Sequence, residues 1–213
     1  MRRMTVDDFI FDGAPGGCTV VLAHGAGAGM DSDWMNDFAA GLAERRLHVA
    51  RFEFPYMRRR REAGTRGGLD RSAKLLDAWR EAVEVLGGAS RLVIGGKSMG
   101  GRIASMVADK VNARGLLCLG YPFHPPGRPE KLRTAHLIGL RTPTLVVQGT
   151  RDPFGNSTEV ERYGLSPAIS VQWLEDGDHS FKPRVKSGRT LAGNLQEALD
   201  ATAVFVGALP APG

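Results

Sequence analysis

Short apolar runs alternate along this chain with longer segments in which apolar residues recur every three or four positions. The short runs are typical of buried strands, and the longer segments are typical of amphipathic helices packed on a sheet. Strands are predicted at residues 5–11, 19–23, 47–54, 91–94, 115–120, 144–148 and 169–174, and helices at 34–43, 69–86, 103–111, 157–163 and 191–205. This alternation predicts an α/β fold, with a mostly parallel central sheet and helices on both faces.

The length of the chain favours one domain that spans residues 1–213. A chain of this size can bury one large core and is too short for two comfortable α/β domains. The proline-rich connection at 121–142, with a short helix predicted near 132–137, is too short to form a separate cap domain. We therefore expect an open site, rimmed by this connection and by the loop after residue 54.

The sequence shows no targeting signal and no membrane anchor. Arg2 and Arg3 are followed by polar residues, and no apolar run approaches the length that crosses a bilayer, so a cytoplasmic location is expected. Cys18 and Cys118 each fall on a predicted strand, where burial as small apolar residues is favoured over a disulfide or a metal site.

The formal net charge of +5 changes this picture little. Arginine accounts for 22 of the 28 basic residues, and most are scattered, which indicates a compositional bias and not nucleic-acid binding. The one concentrated run is Arg58, Arg59, Arg60 and Arg61. A solvated loop is the favoured interpretation of this run. The alternative is a basic rim of the site that contacts anionic substrates.

The candidate chemistry centres on the segment Gly96-Lys97-Ser98-Met99-Gly100, between a predicted strand and a predicted helix. A serine on such a turn matches a nucleophile elbow, in which side chains at Gly96 and Gly100 would collide with neighbouring elements. A phosphate-binding loop ending at Lys97-Ser98 would need glycine at position 91, where the chain has arginine. The elbow is therefore the favoured interpretation.

A second glycine-rich segment, His24-Gly25-Ala26-Gly27, follows the strand at 19–23. In hydrolases with this elbow, a backbone N–H from this position helps to stabilise the oxyanion. We expect the N–H of Ala26 to take this role, with Gly25 or Gly27 as alternatives. His24 is expected to orient the loop and not to act as a base.

Two later strands end at residues that could complete a catalytic triad. Asp152 follows the strand at 144–148, and His179 follows the last strand, so both reach the same sheet edge as Ser98. Asp176 and Asp178 are alternatives to Asp152, although residues so close to His179 in sequence usually point elsewhere. For His124 and His136, structural or surface roles are favoured over substrate contacts.

These motifs, together with Gly120-Tyr121-Pro122-Phe123-His124 and Gln148-Gly149-Thr150-Arg151-Asp152, resemble the α/β-hydrolase superfamily along nearly the whole chain. The chain is most similar to small cap-less members of the dienelactone-hydrolase-like branch, whose relatives include testis-expressed and chromatin-complex proteins. Dienelactone hydrolase itself has cysteine at the elbow, where this chain has Ser98.

The resemblance implies a serine hydrolase that cleaves small or anionic esters or thioesters through an acyl-enzyme. The N–H groups of Met99 and Ala26 would hold the oxyanion, and no metal or organic cofactor is implied. A monomer or a homodimer is expected. The alternative function is a hydrolase-like protein that acts as a non-catalytic protein-binding module.

Overall fold

A seven-stranded sheet forms the centre of the protein, whose computed structural model describes residues 2–64 and 67–210. Its strand order is β1-β3-β2-β4-β5-β6-β7. The strands are β1 (Phe9–Asp12), β2 (Thr19–Ala23), β3 (His48–Phe52), β4 (Leu92–Lys97), β5 (Gly115–Leu119), β6 (Thr144–Gly149) and β7 (Ile169–Leu174). Strand β1 pairs with β3 antiparallel, and the other neighbours pair in parallel. The predicted mostly parallel α/β fold is confirmed.

Helices cover both faces of the sheet. They are α1 (Asp33–Glu44), α2 (Pro55–Ala63), α3 (Ser72–Val85), α4 (Met99–Ser105), α5 (Ala108–Val111), α6 (Ser157–Val160) and α7 (Leu191–Ala208). One core lies under α3 and α4 and contains Trp79, which is fully buried as predicted. The other core lies under α1 and α7 and contains Phe38 and Leu199. Burial on both faces explains why the central strands are almost continuously apolar.

The strand order places a crevice where the site is expected. The chain adds β3 on one side of β2 and then crosses to β4 on the other side, so connections leave the sheet in opposite directions at this point. In open parallel sheets, such a reversal creates a crevice at the carboxyl ends of the strands. The segments after β2 and β4, which carry the two glycine-rich motifs, meet at this crevice.

The arginine run differs from its prediction because it is helical. Residues 58–61 lie within α2, which starts with Pro55 at its first position and ends at Gly64 in the left-handed conformation. Proline is favoured at a helix start, glycine is favoured just past a helix end, and arginine is a good helix former. These local signals outweigh the expectation that a dense run of charge forms a loop.

Two further helix predictions needed correction. The connection at 121–142 contains turns and no helix near 132–137. The helix after the elbow is divided, since α4 ends before Val107 and the short α5 follows it. No helix within residues 2–64 and 67–210 is both long and apolar enough to cross a membrane.

Candidate active site

Ser98 occupies the sharp turn between β4 and α4. Its backbone φ of 51° and ψ of −112° are unusual for a residue with a side chain, and such conformations cost about 1–3 kcal/mol. The turn is held by the Ser98 N–H, which donates to the carbonyl of Leu119 at 2.9 Å. A Cβ atom at Gly96 or Gly100 would lie 2.0 or 2.2 Å from the carbonyl oxygen of Ala23 on β2. The predicted need for glycine at these two positions is therefore confirmed.

The imidazole of His179 lies between Ser98 and Asp152. Its Nε2 is 2.9 Å from Ser98 Oγ, and its Nδ1 is 2.8 Å from Asp152 Oδ2. Because a carboxylate can only accept, Nδ1 carries the proton and Nε2 accepts from the serine hydroxyl. The ring of Phe154 packs on the imidazole with a centroid distance of 4.3 Å. The structure thus joins the three predicted side chains in one hydrogen-bonded chain.

Asp152 is fully buried, and its orientation is fixed by more than His179. Its carboxylate accepts from Gln148 Nε2 at 3.0 Å and from the N–H of Phe154 at 2.8 Å. Gln148, also fully buried, donates to the carbonyls of Tyr121 and Gly155 and accepts from the N–H of Tyr121. The sequence reasoning missed Gln148, although an amide at the end of an otherwise apolar strand was a usable signal.

Asp176 and Asp178, the two alternatives to Asp152, bind other partners. Asp176 is bound by Arg184 and Arg151, and Arg184 holds the pKa of this carboxyl well below its usual range. Asp178 accepts from the N–H groups of Ser180 and Lys182. Asp176 and Asp178 therefore organise the segment around His179 without contacting its imidazole.

Two buried aromatic side chains hold the glycine-rich segment after β2. His24 donates from Nδ1 to the carbonyl of Gly25 at 2.6 Å and accepts from the N–H of Phe54 at Nε2 at 3.1 Å. Burial lowers the pKa of His24, which favours this neutral form. Tyr56 donates its hydroxyl between the carbonyls of Gly25 and Ala26, and burial raises its pKa to about 12. The expectation that His24 orients the loop is confirmed.

The predicted oxyanion donors belong to the two segments that meet at Ser98. Met99 is the first residue of α4, where backbone N–H groups lack partners within the helix. A Cβ built on Gly25 would lie 3.8 Å from Ser98 Cβ, so the glycine-rich segment passes directly beside the serine. In the described part of the chain, the N–H groups of Ala26 and Met99 donate to no protein acceptor. Both are therefore free to bind a ligand.

A cavity of about 320 Å³ opens beside Ser98. Its walls include Ala26, Trp34, Met35, Lys97 and His179. Trp34 stacks on Phe38, which fixes this apolar wall. Of the described residues in this lining, Lys97 and His179 are the ones with titratable side chains.

The arginine run does not reach this cavity. Arg58 pairs with Asp8, Arg59 pairs with Asp70, Arg61 pairs with Asp31 and Glu53, and the guanidinium of Arg60 lies over the ring of Tyr56. None of the four lines the cavity. The arginines are occupied by acids and by an aromatic ring because α2 turns them toward these neighbours. The predicted basic rim of Arg58 to Arg61 is therefore corrected.

His124 is also placed away from the cavity. Its side chain is buried, donates from Nδ1 to the carbonyl of Pro125 at 2.8 Å, and lies 3.3 Å from a carboxylate oxygen of Glu159 at Nε2. His136 bonds to the hydroxyl of Ser105 at 2.8 Å. Both histidines have the structural role that the sequence favoured, and the weaker prediction that His124 contacts substrate is not supported.

Lys97 is a site residue that the sequence reasoning did not single out. It immediately precedes Ser98, lines the cavity, and donates from Nζ to the carbonyl of His179 at 2.5 Å. Burial lowers its pKa to about 8. The signal was present in the sequence, since a lysine occupied the variable position of the elbow motif.

Comparisons with known proteins agree with this architecture. Residues 17–207 match the family model described as "Alpha/beta hydrolase domain". The fold is similar to that of a serine hydrolase without lid from Xanthomonas campestris, with 23% identity, coverage of 96% of this chain and 90% of that chain, and a TM-score of 0.66. An α/β serine hydrolase homologue from Coxiella burnetii has 20% identity, coverage of 95% and 91%, and a TM-score of 0.66. A monoacylglycerol lipase from Paleococcus ferrophilus has 13% identity, coverage of 94% and 99%, and a TM-score of 0.68.

Proposed function

Because this chain belongs to the alpha/beta hydrolase domain family, we propose that it is a serine hydrolase that cleaves carboxylic esters or thioesters. The observation that carries the proposal is the hydrogen-bonded chain from Ser98 through His179 to Asp152. A hydroxyl, an imidazole and a buried carboxylate in this order form the arrangement that activates a serine nucleophile.

Acylation begins when Ser98 Oγ attacks the carbonyl carbon of the substrate. At the same time, Nε2 of His179 accepts the proton of the Ser98 hydroxyl. Asp152 keeps the other proton on Nδ1, so Nε2 stays available as the acceptor. The free N–H groups of Ala26 and Met99 bind the developing oxyanion, and losing one such donor typically costs about 3 kcal/mol in the barrier. The imidazolium then gives its proton to the leaving alkoxide or thiolate.

Deacylation repeats these steps with water as the nucleophile. His179 removes a proton from the water, which attacks the acyl carbonyl, and Ser98 leaves with that proton restored. The cavity beside Ser98 is wide enough for a small acyl group, and its apolar wall at Trp34 and Met35 suits carbon chains. The proposal needs no metal and no organic cofactor.

Labelling with a fluorophosphonate probe tests the proposal directly. We expect the protein to be labelled at Ser98 and to hydrolyse 4-nitrophenyl hexanoate. The Ser98→Ala variant should not be labelled, and its kcat should fall by about 10⁴-fold or more. If the folded wild-type protein neither reacts with the probe nor hydrolyses the ester, the non-catalytic binding module becomes the better hypothesis.

A further inference from the structure

Lys97 lines the cavity, and its ammonium group forms no ion pair with a described residue. Its Nζ donates to the carbonyl of His179 and lies 5.4 Å and 5.6 Å from the ring centroids of Trp34 and Phe181. Trp34 is itself a wall of the cavity beside Ser98. An ammonium group has three N–H donors, and His179 supplies one acceptor, so two donors have no hydrogen-bond acceptor among the described residues and are left with ring contacts. Those contacts are weaker than a bond to an anion.

The nearest acids do not neutralise Lys97. The charges of Asp152 and Asp178 raise its pKa without forming an ion pair with it, and no carboxylate within residues 2–64 and 67–210 lies within 4.0 Å of Nζ. Asp152 already accepts from His179, Gln148 and the N–H of Phe154, and Asp178 accepts from two backbone N–H groups. Both carboxylates are therefore committed to other donors.

An unpaired ammonium in a partly desolvated site is costly, and an incoming anion would relieve that cost. Burial lowers the pKa of Lys97 to about 8, so the amine still carries its charge at pH 7. The contrast with α2 is direct, because Arg58, Arg59 and Arg61 each already have a carboxylate partner. Among the described residues that line the cavity, Lys97 is thus the one whose positive charge lacks a carboxylate partner.

We infer that Lys97 binds a carboxylate group of the substrate and that the enzyme prefers esters whose acyl chain ends in a carboxylate. This inference rests on the proposed serine-hydrolase function and adds the substrate class to it. The carboxylate accepts from the free N–H donors of Lys97, while the ester carbonyl lies at Ser98 and the methylene chain lies along Trp34 and Met35. A cavity of about 320 Å³ suits a short diacid monoester.

Matched ester pairs give the first test. The mono-4-nitrophenyl esters of glutaric and adipic acid are compared with 4-nitrophenyl pentanoate and hexanoate, after subtraction of the uncatalysed rates. We expect the ratio of kcat/KM, carboxylated over neutral, to fall by about 10- to 100-fold in at least one pair when Lys97 becomes Met. Lys97→Gln, which keeps a neutral donor, should lose most of this ratio as well.

Arg59→Met is the matched control, since it removes one positive charge from outside the cavity. Its ratio should stay within about twofold of the wild-type value, because an exposed charge acts only through screened solvent. If Lys97→Met slows both esters equally, Lys97 serves only to position His179 and the inference is overturned. If instead neither ester is hydrolysed by the wild-type protein and Ser98 is not labelled, the serine-hydrolase proposal itself fails.

The wild-type protein alone gives a second test that does not depend on a variant folding. The substrate carboxylate is charged throughout pH 6 to 10, whereas Lys97 loses its proton as the pH rises through about 8. The carboxylated-over-neutral ratio should therefore be constant up to about pH 7 and then fall. His179, Asp152 and Asp178 are the other ionisable groups near Lys97, and the neutral ester serves as the internal reference for them because both esters react through the same Ser98–His179–Asp152 chain. A ratio that is independent of pH would refute the inference.

Discussion

Two regions of this molecule gather positive charge, and they do so in opposite ways. Helix α2 carries four consecutive arginines, of which three are paired with acids and the fourth lies over Tyr56. The carboxyl end of β4 carries a single lysine, Lys97, which has a carbonyl and two aromatic rings as neighbours. The arginines of α2 therefore already have partners within the protein, whereas Lys97 has N–H donors left for a ligand. The number of charges in a segment is a poor guide to binding, whereas the partners of each charge are a good one.

The largest effect among the following substitutions is expected where the site depends on buried hydrogen bonds. Gln148→Leu removes a donor to Asp152 and leaves the carbonyls of Tyr121 and Gly155 without their partner. We expect kcat/KM for 4-nitrophenyl hexanoate to fall by about 10- to 100-fold, and unfolding free energy to fall by about 1–3 kcal/mol.

Steady-state kinetics and urea denaturation measure these two effects separately. Gln148→Glu serves as the matched variant, because it keeps the shape and removes the donor while adding a charge beside Asp152. It should be at least as damaging to kcat. Wild-type kinetics in Gln148→Leu would show that Asp152 needs no support from Gln148.

A smaller effect is expected at Tyr56, whose hydroxyl holds the two carbonyls of the glycine-rich segment. Tyr56→Phe keeps the ring that packs on His24 and removes the donor to Gly25 and Ala26. We expect kcat to fall by about tenfold with little change in KM, because the Ala26 N–H loses its fixed direction toward the oxyanion. Steady-state kinetics with a neutral ester measure kcat and KM separately. A change confined to KM would contradict the role given to the glycine-rich segment.

The smallest effect is expected for a substitution in α2, which tests whether its paired arginines are unimportant for activity. Arg59→Met breaks a half-exposed ion pair with Asp70, which keeps Lys74 as a second partner. Exposed ion pairs contribute about 0–1 kcal/mol, so urea denaturation should show at most that change and neutral-ester kinetics should be unaltered. A clear loss of activity would mean that the arginines of α2 take part in the site after all.

The sequence was sufficient to predict that Ser98, Asp152 and His179 lie close together, because their placement follows from the strand order of the sheet. Parallel strands end at the same edge, so residues that directly follow β4, β6 and β7 are brought near one another even though they are far apart along the chain. The glycine pattern added an independent check, since Gly96 and Gly100 face the main chain of Ala23.

The side chains that hold the candidate site in place were much harder to predict from the sequence. Gln148, Tyr56 and Lys97 act through partners 4 to 82 positions away, and no local pattern specifies which carbonyl a donor will reach. The arginine run was misinterpreted for a related reason. Its helix signals at Pro55 and Gly64 are local and were readable, but its acidic partners come from other parts of the chain.

The order of the strands also has a consequence for biosynthesis. Ser98 leaves the ribosome well before His179, which follows β7, a strand at an outer edge of the sheet and the last of the seven described strands along the chain. A nascent chain that already contains the elbow therefore has a serine whose proposed base has not yet been translated. Under the proposed mechanism, His179 can activate Ser98 only after all seven described strands have been synthesised.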